Sequence, residues 1–191
     1  MQSIRYSQIP RYQHAINLAS IDVNVLHKAG VLGIILDLDN TVISEDDRFI
    51  TPNAIQWIDQ AKSIGIDLFI LSNGKRKERV VWWSKYLGIP ALSPARKPLP
   101  HAFSYALKQL RLSSKQVVVI GDSWHTDVLG ARWTGCPVIQ VASLPHPARW
   151  WESLVGRWVQ IPYADRSTLC HFPNLESDQV YPYPPINEIP R

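Results

Sequence analysis

Four short apolar runs punctuate the chain: Val31 to Leu36, Ile66 to Leu71, Val117 to Ile120 and Val138 to Val141, each closed by a polar or glycine-containing turn. Their hydrophobicity is continuous rather than alternating, as in strands buried on both faces of a parallel sheet. Between the runs the pattern is helical. Thr51 and Pro52 read as a cap and first-turn pair, Ile55, Ile58 and Ala61 fall on one apolar face, and Gly65 closes the helix. A second helix is predicted from Arg76 to Leu87, ending at Gly88, and a third from Leu99 to Leu110 after Pro98. Strand and helix in alternation predict an α/β three-layer sandwich around a mainly parallel sheet with right-handed crossovers. Further on, Trp150, Leu154 and Trp158 recur at helical spacing. They read as a last helix packed on the sheet, with a membrane-interface helix as the alternative.

A length of 191 residues, 46% of them hydrophobic, allows one domain with a sizeable core and excludes a wholly disordered chain. The expected division is an N-terminal segment over 1–29, a domain over 30–161 and a tail over 162–191. The tail holds six of the fifteen prolines, so it is expected to lie extended on the surface. Two cysteines without a CxxC pair suggest neither a disulfide framework nor a zinc finger, and a reducing, cytoplasmic setting is the expectation. No stretch approaches the roughly 18 consecutive apolar residues of a membrane span. The net charge of +4 is a mild bias toward anionic partners and does not establish nucleic-acid binding.

Ligands of open parallel sheets bind beyond the carboxyl ends of the strands, and those ends are unusually polar here. After the first run come Asp37, Leu38, Asp39, Asn40 and Thr41; after the second, Ser72, Asn73 and Gly74; after the third, Gly121, Asp122, Ser123, Trp124, His125, Thr126 and Asp127. Arg96-Lys97-Pro98 stands between the second and third. Phosphoryl transfer needs a nucleophile, a cation, donors for the phosphate oxygens and an acid for the leaving group. Asp37 and Asp39, two positions apart, can divide attack and proton transfer. Asp122 offers an oxygen suited to Mg²⁺, Ser72 can donate to phosphate, and Lys97 supplies fixed positive charge. A single histidine, His125, argues against zinc. The run from Lys75 to Arg79 reads as a solvated first helical turn that could also grip a second anionic group.

Asp37-Leu-Asp-Asn-Thr41, Ser72-Asn73, Lys97-Pro98 and Gly121-Asp122 through Asp127 resemble, in order, the four motifs of haloacid dehalogenase (HAD) superfamily phosphatases. More narrowly, the chain is similar to the small YqeG-like branch, itself similar to mitochondrial phosphatidylglycerophosphatases. The resemblance implies a HAD-like Rossmannoid fold and an aspartyl-phosphate formed on Asp37. Asp39 would be the acid/base, and Asp37, Asp39 (through its backbone carbonyl) and Asp122 would hold Mg²⁺. Ser72, Asn73 and Lys97 would bind the phosphoryl group, with Asp127 and Thr41 standing behind the metal ligands.

Only about ten residues separate Thr41 from the helix at Pro52, and little more than a helix and a strand fits between Gly74 and Lys97, so no cap domain is expected. An open site would draw its shielding from the substrate, an oligomer partner or a surface. The expected activity is hydrolysis of a phosphomonoester; the resemblance puts phosphatidylglycerophosphate in the lead as substrate, and the open site fits peripheral membrane contact. The rivals are a phosphatase for soluble phosphometabolites or phosphoproteins, and a non-catalytic phospho-receiver or binding module. A receiver lacks the Asp-x-Asp-x-Thr arrangement of the first strand end.

Overall fold

The structure is a computed structural model that describes residues 9–146, 156, 158–164 and 166–171. Along the chain come β1 (Tyr12–Ala15), α1 (Val23–Lys28), β2 (Gly33–Leu36), β3 (Phe49–Ile50), α2 (Ala54–Ser63), β4 (Asp67–Leu71), α3 (Lys77–Leu87), β5 (Ala91–Leu92) and α4 (Pro100–Leu110). Then follow β6 (Val117–Gly121), a π-helical turn at Trp124–Val128 that runs into α5 (Leu129–Thr134), β7 (Val138–Val141) and β8 (Cys170–His171). Six strands form one sheet in the order β1-β7-β6-β2-β4-β5, every neighbouring pair parallel. The predicted parallel α/β sandwich is what forms, and the four apolar runs are its four inner strands.

Alternate residues of those strands feed two separate cores, which explains the unbroken hydrophobicity. Ile34, Leu36, Leu68, Ile70, Val118 and Ile120 join Trp57, Ile58, Val80 and Trp83 of α2 and α3 on one face. Ile35, Phe69, Leu71, Val117 and Val119 meet Ala102, Phe103 and Ala106 of α4 and Ala131 of α5 on the other. Gly130 belongs to the close approach of α5 to α4, since a Cβ there would stand 2.2 Å from Phe103 Cε2.

Three features differ from the sequence pattern. First, β1 lies at the sheet edge with exposed and half-buried residues alternating, so it carries no apolar run to announce it. Second, α2 begins at Ala54 with Asn53 as its cap in the left-handed region (φ 56°), while Thr51 turns inward and donates to Thr41 O at 2.7 Å. Third, β8 pairs antiparallel with β3 from within the proline-rich tail. The physical reason is local: residues 163–172 contain no proline, and Tyr163 and Leu169 are apolar enough to bury against Leu144. Trp150, Trp151 and Leu154 of the tryptophan-rich segment lie outside the described residues; Trp158 is exposed.

Among the described residues no domain is inserted between Thr41 and α2, where only the two residues of β3 are regular, or between β4 and Lys97, where α3 and β5 stand.

Candidate active site

Strand β2 occupies the middle of the sheet, and the chain leaves it toward β4 on one side while β6 and β7 lie on the other. The crevice of a doubly wound sheet opens where the strand order reverses, here between the carboxyl ends of β2 and β6. Those ends deliver Asp37 and Asp122. Asp37 is held in the ladder by its N–H, which donates to Ile120 O at 2.8 Å. A cleft of about 420 Å³ opens there, lined by Asp37, Asp39, Asn73, Lys97, Asp122 and Gln160, among others.

At its floor Lys97 Nζ donates to Asp37 Oδ1 at 2.5 Å and to Asp127 Oδ1 at 2.7 Å, all three side chains being buried. Thr41 Oγ1 donates to Asp37 Oδ2 at 2.9 Å, fixing the carboxylate from its other side. Asp127 reaches the floor because the π-helical turn follows Gly121 closely. A Cβ on Gly121 would lie 2.4 Å from Asp127 Cγ, so only glycine admits this packing. Asp37, Asp122 and Asp127 each bring one carboxylate oxygen within 4.8 Å of the others. With one ammonium among three carboxylates, two negative charges stay unbalanced in a buried place, a costly arrangement unless protons or a cation supply the difference.

The acid equilibria reflect this imbalance. Burial pushes the Asp37 carboxyl well above the ordinary range; Lys97 opposes the shift, and Asp127, Asp122 and Asp39 add to it. Burial likewise raises Asp122 to about 6, with Asp127 adding, while hydrogen bonds from Ser143 and Gln160 and the charge of Lys97 work against it. Burial acts to lower Lys97, but the carboxylates of Asp127 and Asp37 outweigh it and hold the ammonium above the ordinary lysine range. The donor set is made of hard carboxylate oxygens carrying a twofold charge deficit, which suits Mg²⁺ and does not suit a metal that wants sulfur or imidazole.

Asp39 stands at the cleft wall, its side chain 18% exposed. Ser72 Oγ donates to its Oδ2 at 2.7 Å, and Arg79 Nη1 meets its Oδ1 at 2.5 Å. Ser72 is fully buried, so as placed its hydroxyl supports Asp39, and contact with a phosphate requires that hydroxyl to turn. Asn73 clamps the Lys97 backbone: its Nδ2 donates to Lys97 O at 3.0 Å and its Oδ1 accepts from Lys97 N at 2.8 Å. The structure thus gathers Asp37, Asp39, Thr41, Ser72, Asn73, Lys97, Asp122 and Asp127 around one cleft.

Arg79 corrects the reading of Lys75 to Arg79 as a solvated turn. Lys75 and Lys77 are exposed, but Arg79 is 2% exposed. Its Nε donates to Asp47 Oδ1 at 2.7 Å and its Nη2 to Ser44 O at 2.9 Å, tying the loop after the first motif to α3. The helical phase was the available signal, since Arg79, Val80 and Trp83 share the buried side of α3. Sequence reasoning also missed Ser143 and Gln160, whose Oγ and Nε2 both donate to Asp122 Oδ2 at 2.6 Å. Nothing in their neighbourhood marks them; only the fold brings them to the site.

The pattern of the haloacid dehalogenase-like hydrolase family matches residues 11–135. The chain is 41% identical over 125 residues, 65% of its own length and 72% of the other's, to the probable phosphatase YqeG of Bacillus subtilis (strain 168). Among solved structures, a HAD-superfamily hydrolase from Ehrlichia chaffeensis is 18% identical over 65% of this chain and 94% of its own, with a TM-score of 0.49. An uncharacterized protein from Corynebacterium glutamicum is 21% identical over 68% of this chain and 93% of its own, with a TM-score of 0.48.

Proposed function

The chain belongs to the haloacid dehalogenase-like hydrolases, and on that premise we propose that it is a Mg²⁺-dependent phosphomonoester phosphatase working through an aspartyl-phosphate on Asp37. The observation that carries this reading is the buried meeting of Asp37, Lys97, Asp127 and Asp122 at the sheet's reversal point, beneath an open cleft.

Mg²⁺, held by Asp37, Asp122 and the Asp39 carbonyl with Asp127 behind them, would supply positive charge to offset that of the phosphoryl oxygens. The chain's own residues do the rest. Lys97, kept cationic by its two carboxylate partners, balances negative charge on the phosphoryl group and orients Asp37. A carboxylate oxygen of Asp37 attacks phosphorus, and the bond from phosphorus to the ester oxygen breaks. Asp39 gives its proton to that leaving oxygen. It then takes a proton from water as the water oxygen attacks the same phosphorus, which frees phosphate and restores the Asp37 carboxylate. Thr41 holds the attacking carboxylate in place, and Asn73 fixes the Lys97 backbone.

For the substrate we propose phosphatidylglycerophosphate, met at a membrane surface without a span. The cleft rim supports a large anionic substrate: Lys75 lines the opening, Lys77 is exposed nearby, and Trp124 is exposed beside His125 and Thr126 on the opposite wall. Among the described residues no helix is long and apolar enough to cross a membrane.

The test is phosphate release by purified protein with Mg²⁺ from phosphatidylglycerophosphate in mixed micelles, from soluble phosphomonoesters and from a phosphopeptide. Many turnovers per chain with the highest kcat/KM on the lipid are expected. A higher kcat/KM on a soluble ester would transfer the substrate to that class, and at most one phosphate released per chain would end the enzymatic reading.

A further inference from the structure

The residues that complete the Asp122 carboxylate come from beyond the stretch that the family pattern matches. Chain segment 158–163 returns across the sheet's carboxyl edge. Gln160 bridges antiparallel to Ser123, and Pro162 bridges parallel to Ser143. Ser143 N donates to Ile161 O at 2.6 Å, and Tyr163 N to Ser143 O at 3.0 Å, so the strap is stitched at both sides of Ser143. Gln140 adds a third tie, its Nε2 donating both to Asp122 O at 2.8 Å and to Val159 O at 3.1 Å. Leu144 N reaches Asn40 O at 2.9 Å, joining the strap's anchor to the loop that carries Asp37 and Asp39.

Within this frame Gln160 is 7% exposed and lines the cleft. Its partner settles which end of the amide faces the site, because an ionised carboxylate only accepts and so takes the Nε2 donor. Ser143 Oγ donates to the same Oδ2, which is thereby supplied with two donors, and one oxygen of the carboxylate stands within 4.8 Å of an oxygen each of Asp37 and Asp127.

We propose that Gln160 is a positioning residue for the divalent cation: the C-terminal strap, through Gln160 and with Ser143, orients the Asp122 carboxylate so that one oxygen is presented to Mg²⁺. The proposal rests on the metal-dependent reading above. Hydrogen-bond partners behind a metal ligand fix its orientation, and their loss typically weakens metal binding by roughly 10–100-fold. The same strap adds Gln160 to the lining of the cleft.

The test measures metal binding directly, without turnover. Mn²⁺ binding to the full chain is followed by electron paramagnetic resonance, with Mg²⁺ as competitor, in the wild type, Asp122→Asn, Gln160→Met, Ser143→Ala and Ile161→Ala. Methionine keeps the length of glutamine and removes the donor, and Ile161→Ala trims an exposed side chain of the strap while the Ile161 backbone, which carries the tie to Ser143, stays in place. Melting in EDTA reports on the fold of each variant. Wild-type binding that Asp122→Asn weakens establishes the metal reading itself. Given that, Gln160→Met is expected to bind Mg²⁺ at least about tenfold more weakly, with Ser143→Ala weakened in the same direction and Ile161→Ala near the wild type. Gln160→Met that folds and binds within about twofold of the wild type overturns the proposal while leaving the metal reading intact. No saturable binding by the wild type overturns both. If Gln160→Met does not melt cooperatively, Gln160→Asn, one methylene short of Asp122, takes its place with the same two outcomes.

Discussion

Replacing Arg79 with methionine would leave the methylene packing of α3 in place and remove the guanidinium that joins Asp39, Asp47 and the Ser44 carbonyl. Asp47 is 2% exposed, so its charge would stay buried with less compensation. Breaking a buried ion pair by removing one partner costs about 3–5 kcal/mol. Two features place this site at the lower end. Trp83 Nε1 still donates to Asp47 Oδ1 at 3.0 Å, with Arg76 Nη2 3.8 Å from Oδ2, and Asp39 is exposed enough for water to reach it. A loss of about 3 kcal/mol is expected, which for a chain of this size lowers Tm by roughly 6–12 °C. Urea unfolding followed by tryptophan fluorescence, in EDTA near neutral pH, reads it. Adding Asp47→Asn to Arg79→Met should recover part of the loss, because the stranded charge goes too, and the cycle should show coupling of more than about 1 kcal/mol. A single-variant loss below about 1 kcal/mol with no coupling would mean that the guanidinium is solvated and the loop from Ser44 to Asp47 is not anchored through it.

Asp37→Asn keeps shape and removes the attacking carboxylate, so phosphate release should fall by at least about 10³-fold with the melting curve retained; near-wild-type turnover would refute the nucleophile. Asp122 holds its proton to about pH 6 in the folded protein against an ordinary 3.8, so its share of stability is fully present below 3.8 and is lost as pH rises through about 6, on the order of 3 kcal/mol by linkage. Urea unfolding without divalent metal should therefore give lower stability near pH 7.5 than near pH 5, with Mg²⁺ restoring more at the higher pH; a metal-free stability that climbs over that interval would contradict the charge deficit at the cleft floor.

The inner sheet was legible because each of its strands is buried twice over, and double burial writes itself as an unbroken apolar run. Tyr12–Ala15 sits at an edge, half in solvent, and Ala91–Leu92 is two residues long, so neither leaves such a trace. The same logic divides the site. Asp37, Asp39, Ser72, Lys97 and Asp122 follow or flank predicted strands, where position alone singles them out. Arg79 hides in a run of charge whose other four members, Lys75, Arg76, Lys77 and Glu78, are exposed, and only the turn of the helix carries it inward. Ser143 and Gln160 carry no local mark because their role is set by contacts across 21 and 38 positions of sequence, which hydrophobic periodicity does not encode.

Lys97 and Arg79, both buried, divide the work of holding acids close together. Lys97 pairs with Asp37 and Asp127 at the floor, where its charge is short of what the carboxylates need. Arg79 pairs with Asp39 and Asp47 at the wall, with Arg76 3.8 Å from Asp47 and added donors from Ser72 and Trp83. A shortfall at the wall is eased by solvent, since Asp39 is partly exposed. At the floor there is no such relief: burial first, and the neighbouring carboxylates with it, raise the carboxyls of Asp37 and Asp122. A divalent cation entering there gains from each carboxylate that it lets ionise, and proton release on binding follows from the same imbalance. The place where the fold is electrostatically least complete is thus the place where the proposed chemistry needs positive charge. The C-terminal strap, by adding the Gln160 donor to that of Ser143 at Asp122 Oδ2, biases that one acid toward the form a cation can use.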